Sequence, residues 1–203
     1  MQNEIEPQRS ASSHATKPST AQLNANHRVP TFREQLTDLW AGIKAPPTRN
    51  ITQCVIITVA YSLAALLIGF PTGLYQVQFL DLQKFWFLPL TLILFPAIPE
   101  EFFFRGLLIP RNAAELSWQR SAAYIIFSAF AFTVWHPLNA LTINPTAQPF
   151  FLNPFFLLIV FLLGLACSTS YVLSRSIWVP VIIHWLTVVV WVTSLGGRNL
   201  VIE

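Results

Sequence analysis

The residues able to do chemistry are concentrated in one stretch, Ile98-Pro-Glu-Glu-Phe-Phe-Phe-Arg-Gly-Leu-Leu-Ile109. Two adjacent carboxylates and an arginine sit there inside an apolar run that begins near Phe85. An ionisable side chain at membrane depth costs several kcal/mol unless it finds partners, so such groups mark function or a packed ion pair. Their spacing sorts them. Glu101 and Arg105 are i and i+4, so on a helix they share a face and can pair. Glu100 is rotated by about 100° from Glu101 and can point elsewhere. One carboxylate is held and the other is available. The plainer alternative is an ion pair whose task is to fix helix packing.

Two histidines lie at similar depth. His136 ends the apolar segment Phe132-Thr-Val-Trp-His, and His184 lies in Val181-Ile-Ile-His-Trp-Leu. Either one alone reads as a packed, hydrogen-bonded residue. With a rise of ~1.5 Å per residue, Glu100, His184 and His136 lie ~16, ~10 and ~24 Å from one membrane face. Those depths bracket the bilayer centre, with His136 the least comfortable fit. A carboxylate and an imidazole meeting there suit water activation, because a desolvated carboxylate is a usable general base near neutrality. A second imidazole can donate to the oxyanion of a tetrahedral intermediate. There is no HExxH for a zinc protease, and no Gly-Asp or Ser-based dyad in the apolar segments. No cofactor is required, although Glu100, His136 and His184 are of the types that ligate zinc.

The elements that must position these groups are membrane helices. The 203 residues are 54 % hydrophobic and 10 % charged, and the apolar residues fall in blocks of spanning length. The fold expected is all-α, a polytopic helical membrane bundle of about five transmembrane helices plus one N-terminal interfacial helix. Residues 1–29 are polar and Pro-containing and read as a disordered tail. They lack an apolar core, so no cleavable signal peptide is expected.

Residues 30–47 form an amphipathic helix. Phe32, Leu36, Leu39, Trp40 and Ile43 make its stripe, Thr31 and Glu34 a capping box, and Pro46-Pro47 its stop. It either lies in the headgroup layer or packs on a partner or on the rest of the protein. Residues 48–203 hold the transmembrane domain, with spans expected at Ile51–Phe70, Phe85–Arg111, Arg120–His136, Phe151–Leu173 and Ile177–Leu195. Pro89, Pro96 and Pro99 should kink the second span or unwind a turn before Glu100.

Five spans put Arg33, Lys44, Arg49, Arg111, Arg120 and Arg175 on one side, against Lys84 and Arg198 on the other. The positive-inside rule then makes the N-terminus cytoplasmic, in the plasma membrane or another internal membrane. The net charge of +3 is small, and no basic stripe alternates with exposed aromatics. The partners expected are therefore the lipid bilayer and a peptide or membrane-protein substrate, with no nucleic acid. Cys54 and Cys167 both fall inside spans, which argues against a disulfide framework. Oligomeric state leaves no mark on the sequence.

Glu100-Glu101-x-x-x-Arg105, Phe132-x-x-x-His136 and His184 resemble, in order, the three motifs of the CPBP family of glutamic intramembrane proteases. That family includes the CAAX prenyl endopeptidases and bacterial proteins linked to bacteriocin processing and self-immunity. The resemblance covers roughly residues 85–195. It implies a catalytic cavity within the bilayer, with Glu100 and His136 activating water, His184 stabilising the oxyanion, and Glu101 with Arg105 ordering the site. The family's third motif often carries an Asn four residues after its histidine. Here that position is Val188, and Thr187 or Asn139 are the candidates to supply an oxyanion or substrate contact instead. Two other readings stay open: a non-catalytic membrane scaffold or bacteriocin-immunity-type binding protein, and a zinc-dependent membrane hydrolase.

Overall fold

A computed structural model describes residues 31–81 and 83–197. The tail expected to be disordered, 1–29, and the charge at Arg198 lie outside the described residues. Among those described, the chain is helical, with one isolated bridge between Gln78 and Leu195.

Helix α1 (Phe32–Lys44) starts where the capping box predicts. Thr31 Oγ1 accepts from Glu34 N, and Glu34 Oε2 accepts from Thr31 N at 2.6 Å. It ends at Ala45, which is extended as the residue before a proline prefers. Of the two placements open to this helix, packing on the rest of the protein accounts for its inner side. Leu39 and Ile43 join a buried cluster with Ile109, Tyr171 and Ile177, and Gly42 lets α1 sit against Tyr171. Trp178 Nε1 and Ser176 Oγ donate to the carbonyls of Ile43 and Ala45. Phe32, Leu36 and Trp40 remain exposed.

Three helices are long and apolar enough to cross a membrane: α2 (Ile51–Gly69), α5 (Trp118–Thr142) and α7 (Pro154–Ser174). A fourth, α8 (Trp178–Ser194), is apolar but has 17 residues. The expected second span is the interrupted one. It runs as α3 (Leu88–Leu92), a wide turn over Ile93–Ala97, α4 (Ile98–Glu101) and a second wide turn over Phe102–Leu107. Phe95 leaves helical geometry altogether, at φ −153° and ψ 123°. Prolines at 89, 96 and 99 withhold three amide donors, so the helix breaks just before the glutamates.

The third span continues beyond His136 to Thr142. Pro137 forfeits only one intrahelical bond, whereas unwinding in lipid would strand several backbone groups. Short helix α6 (Gln148–Phe151) then turns the chain into α7.

Helix α7 is the central element, packing on α2, α5 and α8. Its close approach to α5 depends on Gly164, whose missing Cβ would stand 3.0 Å from Ala129 Cα. Threonine hydroxyls within the apolar helices are satisfied locally: Thr58, Thr133, Thr187 and Thr193 each donate to the carbonyl four residues back. The joints near residues 45–50, 111–115 and 173–177 gather at one end. There Asn50 donates to the Leu173 carbonyl, Asp38 accepts from Arg111 N, and Arg175 pairs with Glu115 at 2.6 Å. At the other end an extended segment lies along the close of α8. The N–H groups of Gln76, Gln78 and Leu80 donate to the carbonyls of Leu195, Ser194 and Thr193.

Candidate active site

The break before Glu100 aims the two glutamates in different directions. Glu101 turns into the bundle and is fully buried, as is Arg105 one turn on, and the pair meets at 3.0 Å. The same oxygen, Glu101 Oε1, accepts from His184 Nδ1 at 2.8 Å. Arg105 also donates to the Gly164 carbonyl at 3.3 Å, and its guanidinium lies 4.5 Å above the Phe132 ring. A charge in apolar surroundings needs several such partners to be tolerated. This group therefore ties five elements together: α4 at Glu101, the wide turn at Arg105, α5 at Phe132, α7 and α8.

Glu100 faces the other way. Its side chain is 13 % exposed, and Oε1 accepts from Trp135 Nε1 at 3.0 Å. Oε2 has no hydrogen-bond partner and stands 3.9 Å from His184 Nε2. His184 is thus held from behind by Glu101 and turns its other nitrogen toward Glu100.

His136 is fixed through its own helix. Nδ1 lies 2.9 Å from the Phe132 carbonyl. A carbonyl only accepts, so Nδ1 carries the proton and Nε2 keeps its lone pair in the neutral ring. The Phe132 ring stands edge-on between the two imidazoles, 4.9 Å from His136 and 5.5 Å from His184. Phe151 packs edge-on to His136 at 4.8 Å. Aromatic walls on both sides fix the ring without taking its free nitrogen.

Glu100, His136 and His184 all line one cavity of about 430 Å³, large enough for a small ligand or a few residues of extended chain. Asn139, Thr187 and Val188 also line it. The Thr187 hydroxyl donates to the Ile183 carbonyl at 2.9 Å, so its proton is committed to its own helix. Tyr75 contributes from the loop after α2; burial pushes its phenol up to about 12, which keeps it a neutral donor. Phe95 and Pro96 line the cavity as well, and Phe95 is exposed on the outer face of the bundle. The break in the second span is where the cavity wall meets the surface.

No three His, Cys, Asp or Glu side chains converge as a metal-binding set among the described residues. Nδ1 of each histidine is engaged, by Phe132 and by Glu101, which leaves Nε2 as the remaining nitrogen of each ring.

The structure thus brings Glu100, His136, His184, Asn139 and Thr187 to one cavity, and sets Glu101 and Arg105 behind His184. Residues that the sequence reading did not single out are Trp135, Gly164 and Tyr61. Trp135 precedes His136 on α5, and its indole nitrogen was the only hint of a partner for Glu100. Gly164 in an apolar run signals close helix approach but not the arginine that uses its carbonyl.

A comparison with protein families matches residues 82–190 to the family described as Rce1-like, type II CAAX prenyl endopeptidase. No curated protein and no solved structure matches the chain.

Proposed function

The chain belongs to the Rce1-like family of type II CAAX prenyl endopeptidases, and from that premise we propose that it hydrolyses a peptide bond in a membrane-associated protein or peptide by glutamate/histidine water activation. Glu100 Oε2 is the general base. It removes a proton from a water held also by His136 Nε2, and the resulting hydroxide adds to the substrate carbonyl carbon. The carbonyl oxygen becomes an oxyanion, which His184 Nε2–H stabilises. Collapse of the intermediate expels the amine, which leaves with the proton stored on Glu100. In that step His184 is an imidazolium. With the proton on Glu100, Glu101 and the oxyanion are balanced by Arg105 and His184, two negative charges against two positive, which suits a site away from water.

The observation that carries this reading is the contrast between the glutamates. Glu101 is committed to Arg105 and His184, while Glu100 Oε2 is unpartnered, next to His184 Nε2 and on the cavity wall. The substrate class we propose is a peptide or protein with a prenylated cysteine near its C-terminus, reaching the cavity from the bilayer at the Phe95–Pro96 break. We place the N-terminus on the cytoplasmic side, with Phe32, Leu36 and Trp40 of α1 in the headgroup layer.

A competing reading, a non-catalytic binding protein, draws on Val188, which lines the cavity and offers no side-chain donor. The test is cleavage of a farnesylated-cysteine peptide, with three residues after the cysteine, by purified protein in nanodiscs. Mass spectrometry should find the bond cut by the wild type and intact with Glu100→Gln or His136→Ala. Equal turnover by those variants rejects the assignment, and Glu100→Gln complementing a cellular phenotype in full favours the binding protein.

A further inference from the structure

Two buried donors on the same cavity wall take no part in that scheme. Trp191 is 9 % exposed, and its Nε1 has no hydrogen-bond partner. The other buried or half-buried indoles each have one: Trp135 donates to Glu100, Trp178 to the Ile43 carbonyl and Trp185 to the Pro89 carbonyl. Tyr61 is 6 % exposed and its hydroxyl completes no hydrogen bond either, though the Thr187 hydroxyl is close enough to interact with it. Thr187 gives its proton to Ile183, so its oxygen is the fallback acceptor for the Tyr61 proton when the cavity offers none. Buried polar groups in native proteins are nearly always satisfied, and an indole N–H can only donate. Trp191 has no acceptor and Tyr61 completes no hydrogen bond, so both can turn to an acceptor supplied by whatever fills the cavity.

The chemistry of that acceptor follows from the rest of the lining. Among the described residues no Lys or Arg lines the cavity, so an anionic group at the Trp191 end would find no such counter-charge, whereas a neutral carbonyl oxygen is matched by single N–H and O–H donors. The placement gives the reach. His184, Val188 and Trp191 line the cavity along one stripe of α8. Seven residues of helix separate His184 from Trp191, a rise of about 10.5 Å. An extended peptide covers that in about three residues.

We propose that Tyr61 and Trp191 form a positioning subsite, donating hydrogen bonds to backbone carbonyls of a substrate that lies extended along α8 from the reacting bond. The inference rests on the protease reading for what occupies the cavity. It goes beyond that reading in assigning residues outside all three motifs to holding the chain in register.

The test uses the full-length Glu100→Gln protein in nanodiscs, and binding of the farnesylated-cysteine peptide measured by calorimetry. Adding Tyr61→Phe or Trp191→Phe should weaken binding about tenfold each, the loss of one good hydrogen bond. A peptide with a thioamide, a weaker acceptor, in place of its penultimate carbonyl should bind more weakly to the parent variant. It should lose little further when Trp191→Phe is present, a non-additivity that a merely structural tryptophan does not produce. Unchanged affinity in both aromatic variants, additive losses with the thioamide, or no measurable peptide binding overturns the proposal. Binding that depends on Tyr61 in a protein whose wild type cuts nothing leaves the subsite standing and removes the protease reading. Cleavage by the wild type with binding indifferent to both donors does the reverse.

Discussion

His184 donates from Nδ1 to Glu101 Oε1 at 2.8 Å, between residues 83 positions apart in the chain. The same oxygen receives Arg105 at 3.0 Å, while Glu101 Oε2 has no partner. A single carboxylate oxygen therefore joins the helix that carries the glutamates to the last helix of the bundle. The neighbouring glutamate is left out of this junction, and that division of labour is testable.

Arg105→Ala should cost roughly 3–5 kcal/mol of stability, because it leaves the fully buried Glu101 carboxylate without its counter-charge. Glu100→Gln, one residue from that carboxylate, should leave the thermal midpoint in detergent essentially unchanged and abolish turnover. Equal thermal loss from both changes would mean that the two glutamates share one structural role.

Trp135→Phe removes the indole N–H that holds Glu100 Oε1 at 3.0 Å. Turnover should fall about tenfold through kcat with KM little changed, since the lost hydrogen bond orients the base and not the substrate. Steady-state kinetics with the farnesylated peptide separate the two constants. A change confined to KM would place Trp135 against substrate.

Chelation should not reduce activity. The proposed water activation runs on Glu100 and His136 alone, and no three ligand-type side chains converge as a metal set among the described residues. Cleavage assayed before and after dialysis against a strong chelator decides the matter; loss restored by zinc would revive the metal-dependent reading.

Gly164→Ala should destabilise by about 1–3 kcal/mol, since its Cβ would press on Ala129 backbone at 3.0 Å, where no flexible side-chain end can yield. Because the Gly164 carbonyl also accepts from Arg105, activity should fall along with the melting temperature. A thermal melt and a turnover assay on the same preparation would show whether the two move together.

What could be read from the sequence was local. The i, i+4 spacing of Glu101 and Arg105, the Thr31–Glu34 capping box and the prolines ahead of Glu100 each act within a turn or two of helix, and each is found in place. Depth arithmetic put His136 and His184 near the glutamates because helix rise is uniform. Partners across helices were not readable in this way. Periodicity shows which face a residue occupies, not which neighbour that face meets, so Trp135, the Gly164 carbonyl and Tyr61 went unassigned. The reach of α5 past Pro137 was missed for a different reason. Proline is a strong stop signal in water, where freed carbonyls are hydrated, and a weaker one in lipid. The inner packing of α1 depended on Gly42 and on donors from Ser176 and Trp178, which the stripe of apolar residues does not encode.

With 17 residues, α8 climbs only ~25 Å, short of a hydrocarbon slab about 30 Å thick. Its closing carbonyls would ordinarily oblige headgroups to sag or water to seep inward. Amides from residues 76, 78 and 80 cover them instead, so the loop after α2 caps the end of this short helix with main-chain donors. Shortening or cutting that loop should leave those carbonyls to be met by water or headgroups, and so loosen the end of α8 that carries Trp191.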